Sequence, residues 1–478
     1  MRRLLIDGQL VASDRTFPSV NPATGEVLEQ APDASVADAE ASIAAARRAF
    51  DSTDWSTDVQ ARIRALGQLN DALAAHREEL RELTIAEVGA PRQLTYGPQL
   101  DDPIKLVSYY ADLLQKYPLT EDLGDIEVRG QRHHRWVEKE AAGVVAAIIP
   151  YNYPNQIALA KVVPALAAGC TVVLKGAPDT PLTTLALGEL IAEHTDIPAG
   201  VVNVLTSSDV AVGEILTTHP DVDMISFTGS TGVGRQIMAA ASQTVKRVFL
   251  ELGGKSAMVL LDDADLASAA MFAAFTICSH SGQGCALTSR LVVPREHHDA
   301  IVAQVAANLA RVKVGDPTDA KTFMGPLISA KQRDKVDAMV QRAVAAGATL
   351  VTGGKRVDPG FFYAPTLLSN VDPASEVAQD EVFGPVLAVI PHDGDDDAVR
   401  IANSTIFGLS GGVYSADQER AIGVARRIRS GTFSINGGNY FSADSPFGGF
   451  KQSGVGREMG VAGLEEFLES KTFATVVS

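Results

Sequence analysis

The chain has 478 residues, 46% of them hydrophobic and 21% charged, enough for two or three packed domains of ordinary globular composition. A formal net charge of −17 excludes the basic footprint needed to bind nucleic acid or an anionic membrane surface. Three cysteines cannot form a disulfide framework at this length, and the apolar run in Met1-Arg2-Arg3-Leu4-Leu5-Ile6-Asp7 is too short for a signal peptide. No apolar run approaches a membrane span, so a cytoplasmic location and no membrane partner are expected.

Residues 36 to 90 carry apolar positions at helical spacing, such as Ile43, Ala46 and Phe50, then Ile63, Leu66, Leu69 and Leu73. Beyond Leu119 polarity alternates instead, and Glu121 to Val128 with Arg132 to Val137 predicts an exposed hairpin. Apolar strands are then predicted at Val144–Ile149, Thr171–Leu174, Val201–Leu205, Met224–Phe227 and Val248–Leu250. Helix-length segments separate them, among them Asn155–Ala168, Pro181–Glu193 and Val210–Thr218. A second series follows near Ala257–Leu261, Arg290–Val293, Thr349–Thr352, Val386–Ile390 and Gly411–Tyr414. Strand–helix–strand alternation of this kind implies parallel sheets covered by helices, hence two α/β domains.

Cys285 carries the most chemistry. It follows Ser281-Gly282-Gln283-Gly284, residues too small and polar to pack a core around it, whereas Cys170 and Cys278 lie in apolar stretches and read as core hydrophobes. A thiolate attacks carbonyls well, and Glu251, in Leu250-Glu251-Leu252-Gly253-Gly254-Lys255, could activate the water that releases a thioester. Two further strand ends draw attention. Asn152, after strand Val144–Ile149, can donate to an oxyanion, although Asn in a Pro-rich turn is ordinarily a turn former. Thr228-Gly229-Ser230-Thr231-Gly232-Val233-Gly234, at a strand-to-helix turn, can cradle a phosphate or can simply be a tight turn. With a dinucleotide bound there, an acid about 20 residues downstream would hold a ribose, which offers Glu251 a second role.

Taken in order, these segments resemble the aldehyde dehydrogenase superfamily across nearly the whole chain. The resemblance rests on Pro150-Tyr151-Asn152-Tyr153-Pro154, Val172-Val173-Leu174-Lys175, Phe227-Thr228-Gly229-Ser230-Thr231-Gly232, Leu250 to Lys255 and Gly282-Gln283-Gly284-Cys285. It continues through Glu381-Val382-Phe383-Gly384-Pro385, Asn436-Gly437 and the run from Pro446 to Gly454. It implies a Rossmann-like cofactor domain over residues 1–118 and 142–252 and an α/β catalytic domain over 253–450. A small β oligomerisation arm would comprise 119–141 and 451–478, in a homodimer or homotetramer.

The same resemblance implies a nucleophile in Cys285, an oxyanion donor in Asn152 and a general base in Glu251. Lys161 and Glu458 match positions given a proton-relay role. Lys175, Gly229, Ser230, Gly234, Leu252, Glu381 and Phe383 match cofactor contacts. The implied reaction oxidises an aldehyde to a carboxylic acid with NAD, through a thiohemiacetal and a thioester on Cys285, and needs no metal. Pro178 departs from the pattern, because NAD-preferring relatives commonly place Glu there. Proline neither bonds the ribose hydroxyls nor repels a 2′-phosphate, so NADP stays possible beside NAD. An aldehyde tunnel lined by Tyr153, Ile157, Ala160, Phe441 and Phe447, with Gly284 and Ala286 beside the thiol, carries no charge. It therefore predicts an uncharged aldehyde of medium size. A CoA-acylating enzyme would not need Glu251, and a cysteine hydrolase would need a paired histidine that the sequence does not present.

Overall fold

The structure, a computed structural model, describes residues 1–477. Five parallel strands form the centre of the first sheet, in the order Val202–Thr206, Thr171–Gly176, Val144–Ile148, Met224–Thr228 and Arg247–Glu251. Helices cover both faces, so these strands are buried along nearly their whole length rather than on alternate residues. Chain order reverses on either side of Val144–Ile148. The crevice beyond the carboxyl ends of the strands at such a reversal is where α/β sheets bind ligands. Asn152 follows one of these two central strands and Gly229 the other.

The helix Pro154–Ala168 is apolar on all sides because it is sandwiched between this sheet and an outer helical layer. Its first turn carries proline, whose missing N–H is an orphan there anyway, and it stops at Gly169 in the left-handed region. The outer layer includes Val59–Ala75, Arg77–Val88 and Asp101–Leu114, whose Leu66, Leu69, Leu80, Ile104 and Val107 complete that core.

The second sheet has seven strands, ordered Thr349–Thr352, Thr366–Ser369, Val386–His392, Thr288–Pro294, Ser256–Leu260, Ser410–Tyr414 and Thr432–Ile435. All its pairings are parallel except that of the first two strands. A separate antiparallel sheet joins Thr120–Val128, Gln131–Ala141 and Leu468–Val476, with Trp136 stacked on Phe473 across the last pairing, 5.1 Å between ring centroids. The α/β architecture with a small β arm is thus the one expected. Among the described residues no helix is long and apolar enough to cross a membrane.

The structure departs from these expectations in three places. Leu4–Ile6 and Gln9–Val11 extend one edge of the first sheet, although three residues are too few to show alternation. Thr432–Ile435 sits between Ser430-Gly431 and Asn436-Gly437, so its local signal is that of a loop. Gly454–Val455 falls in the segment that resemblance assigned to the arm, yet it pairs antiparallel with Leu250 and Glu251.

Candidate active site

The helix Leu266–Cys278, capped by the Asp265 side chain, leads into the loop that carries Cys285. His280 and Ser281 have φ of 45° and 56°, conformations that cost non-glycine residues about 1–3 kcal/mol each. Buried hydrogen bonds hold them there: Ser281 Oγ donates to the Gly325 carbonyl at 2.6 Å, and the Gln283 N–H donates to the His280 carbonyl at 3.1 Å. Gln283 Oε1 accepts from Ile328 N at 2.9 Å. The loop leaves Cys285 half-buried, while Cys170 and Cys278 are fully enclosed. Burial pushes the Cys285 thiol well above its ordinary value, and the nearby carboxylates of Glu381, Glu251 and Glu458 push the same way.

Cys285 opens onto a cleft of about 180 Å³ that it shares with Asn152, Gly229, Ser230, Leu252, Glu381 and Phe383. Asn152 is buried, and its Nδ2 donates to the Gln283 carbonyl at 2.8 Å, tying it to the cysteine loop. Glu381 Oε1 accepts from Gly254 N at 3.0 Å. Burial raises its carboxyl to about 7, against the opposing pull of that N–H and of Lys335 and Lys255. Phe383 has φ of 58° and is steadied by Gln332, whose Nε2 donates to its carbonyl at 2.8 Å, and by the edge-on ring of Tyr151.

Ser230 caps the helix Thr231–Ala241, its hydroxyl accepting from Val233 N. Gly234 does a different job from its neighbours. A Cβ there would lie 2.7 Å from the Leu252 side chain, so its smallness serves helix-to-strand packing. Lys175 ends its strand with a buried ammonium 3.4 Å from the Gly176 carbonyl, and burial lowers its pKa against the pull of Asp33. Pro178 is exposed.

Glu251 does not line the cleft. Its carboxylate is buried with neither oxygen hydrogen-bonded, and Oε1 lies so close to Gly448 that a Cβ there would be 2.7 Å away. On the same face of its strand, Phe249 carries the Lys161 ammonium 4.8 Å above its ring, and Lys161 bonds Glu458 Oε1 at 2.6 Å. Phe447 and Glu458 exchange backbone hydrogen bonds of 2.7 Å, closing a compact cluster around Glu251. Burial, and then the Glu458 charge, raise the Glu251 carboxyl well above its usual range; Lys161 and Arg457 oppose this.

Of the expected tunnel residues, Ile157 and Ala160 are buried in the first core, with Tyr153, Ala286 and Phe441 packed against it. Phe441 and Phe447 meet edge-to-face at 5.8 Å. Gly284 adjoins the Leu287 side chain. Tyr153 meets the edge of His280 at 5.1 Å. Sequence reasoning passed over His280, Gln332 and Lys335. His280 is buried, and burial lowers it to about 4 against the opposing pull of the Asn152 backbone, which keeps it neutral. Gln332 and Lys335 line the cleft from the helix Ala330–Ala345, whose surface-helix pattern gave no sign of a site.

Residues 10–473 match the aldehyde dehydrogenase family. The chain is 39% identical to a betaine aldehyde dehydrogenase of Bacillus subtilis over 98% of its length and 96% of that protein's. It is 40% identical to a 3-succinoylsemialdehyde-pyridine dehydrogenase of a Pseudomonas species, over 98% of each. A crystal structure of betaine aldehyde dehydrogenase from Staphylococcus aureus in complex with NAD+ superposes with a TM-score of 0.96 at 37% identity, over 99% of this chain and 95% of that one. With a family match over almost its entire length and the thiol, amide and glycine turn gathered at the reversal of a parallel sheet, this chain belongs to the aldehyde dehydrogenase family.

Proposed function

We propose that the protein oxidises an uncharged aldehyde of medium size to its carboxylic acid with NAD, through covalent adducts on Cys285. One observation carries the reading: Cys285 and Asn152 face the same cleft as Gly229, Ser230, Glu381 and Phe383. The residues fit a dinucleotide. Gly229 and Ser230 offer a small-residue turn at a helix N-terminus for a pyrophosphate, Lys175 holds a buried ammonium for a ribose, and Glu381 and Phe383 stand next to the thiol. The NAD+ complex of the S. aureus relative supports NAD over NADP. When bound, the dinucleotide accepts hydride from the thiohemiacetal carbon.

Cys285 attacks the aldehyde carbon, and its proton, held on the resting thiol by burial, passes to water in the cleft that Cys285 lines. The developing oxyanion is met by the Asn152 amide and the Cys285 backbone N–H. Glu251 then takes a proton from water, which attacks the thioester and frees the acid. Before doing so it must shed its own proton, and the Glu458 carboxylate beside it, paired with Lys161, is the acceptor. This use of Glu251 favours release to water over transfer to CoA, and its position among Gly448, Lys161 and Glu458 favours a base over a ribose ligand. The division into a cofactor domain (1–118, 142–252), a catalytic domain (253–450) and an arm (119–141, 451–478, apart from Gly454–Val455 in the first sheet) belongs to this proposal. So does the arm's role in joining subunits.

A panel of aldehydes assayed by NADH absorbance tests the reading. Medium-sized uncharged aldehydes should give the highest kcat/KM, and Ala160→Trp should lower it for bulky aldehydes more than for acetaldehyde. A clear winner bearing a carboxylate or a quaternary ammonium would overturn the substrate assignment.

A further inference from the structure

We propose that Gln99 is a positioning residue for the oxyanion-binding amide of Asn152, an assignment that rests on the mechanism above. Gln99 lies between the helices Arg92–Thr95 and Asp101–Leu114 and is fully buried. Its Nε2 donates to the backbone carbonyl of Asn152 at 2.9 Å. The Asn152 side chain in turn donates to the Gln283 carbonyl at 2.8 Å, in the loop that carries Cys285. Asn152 is therefore gripped at two points, by the outer helical layer through its backbone and by the nucleophile loop through its amide. One amide N–H is committed to Gln283, which leaves the other to meet an oxyanion.

Gln99 is itself held. Asn155 Nδ2 donates to the Gln99 carbonyl and to Thr84 Oγ1, both at 2.9 Å, and the Gln99 N–H donates to the Leu94 carbonyl at 3.1 Å. Polar residues from Arg77–Val88, the 96–100 turn and Pro154–Ala168, buried except for half-buried Asn155, thus form a chain ending on Asn152, inside a layer otherwise filled by Leu80, Leu100, Ile104 and Leu159. Packing does not call for them, since an unpaired polar group in such a layer is unfavourable and Gln99 Oε1 has no partner. Fixing the Asn152 peptide does. A donor aimed at a developing charge works only if it is already in place, and a shift of about 1 Å can cost about 10²-fold in rate.

Gln99→Met removes the donor while keeping the length, and it is tested in a double-mutant cycle with Asn152→Ala. The readout is the single-turnover rate of NADH formation, measured beside NAD affinity and Tm. Gln99→Met should slow that rate roughly 10- to 100-fold with NAD affinity unchanged. In the Asn152→Ala background it should add less than about twofold, as directly coupled residues do. An equal loss in both backgrounds, or an unchanged rate in the single variant, overturns the assignment. If Gln99→Met does not fold, Asn155→Leu, which releases the Gln99 backbone, carries the same cycle with the same criteria. A wild-type protein that forms no NADH with any aldehyde overturns the functional reading itself. An Asn152→Ala variant at wild-type rate leaves that reading standing and overturns the role given to Asn152, and Gln99's with it.

Discussion

Asn152 and Glu251 lie two strands apart in one sheet and are held in opposite ways. Asn152 is bonded through its backbone carbonyl and through its side-chain amide, whereas the Glu251 carboxylate is buried with no hydrogen bond. The contrast matches what each must do. An oxyanion donor is useful only when preorganised, because charge appears faster than a peptide can turn. A base has to reach water and later pass a proton on, so a carboxylate bound tightly in one place would serve it poorly. Around Asn152 hydrogen bonds enforce position; around Glu251 there is none, only the close approach of Gly448 and a charged pair, Lys161–Glu458.

The comparison can be broken most directly at the atom both residues serve. Cys285→Ser should lower turnover by more than roughly 10⁴-fold while NAD affinity and Tm stay close to wild type, since a hydroxyl is far less ionised than a thiol. A variant that still turns over would leave both residues without a nucleophile to assist. Glu251→Gln separates the two halves. Single-turnover NADH formation should persist, and steady-state turnover should fall by about 10²–10⁴-fold as the thioester accumulates. Stopped-flow absorbance reads both phases, and a raised KM for NAD with turnover preserved would return Glu251 to the ribose.

Gly448→Ala sharpens the idea that Glu251 needs space. The added Cβ would lie 2.7 Å from Glu251 Oε1 and also 2.7 Å from the Gly456 carbonyl. Steady-state turnover should drop roughly tenfold with the first turnover little affected, and overpacking should lower stability by about 1–3 kcal/mol. An equal loss in both phases would mean that the cluster supports the fold rather than the base. The smallest effect is expected outside both regions, at exposed Pro178. Pro178→Glu should raise the NAD:NADP ratio of kcat/KM by roughly tenfold or less through repulsion of the 2′-phosphate. An unchanged ratio would mean that residue 178 does not face the ribose.

Much of this was legible in order along the chain, for reasons particular to each element. The central strands of both sheets are buried on two faces, so they appear as apolar runs bounded by glycine and proline, and their predicted limits fall within a residue or two of those observed. Cys285 stood apart from Cys170 and Cys278 because small polar neighbours cannot enclose a thiol. Gln99 had no such signature. It lies in a stretch, Tyr96-Gly97-Pro98-Gln99, that reads as an exposed turn, and only the packing of helices 77–88 and 101–114 against Pro154–Ala168 brings it under Asn152. Gln332 and Lys335 escaped notice in the same way, on a helix whose exposed face is mostly polar.

By itself the sequence determined which chemical groups stand at strand ends, because chain direction and apolar runs are local properties and a parallel strand delivers the residue after it to one edge. It also determined that an amide and a small-residue turn would share that edge, whereas the thiol reaches it from the loop between Leu266–Cys278 and a strand of the second sheet. Where Glu251 points was decided only in three dimensions. Strand alternation sets the face, but the contents of that face come from Lys161 on a helix formed before it in the chain and from Phe447, Gly448 and Glu458 some two hundred residues after it. Long-range packing of this kind leaves no periodic trace at either end, which is why the motif announced a carboxylate and only the tertiary structure supplied its neighbours.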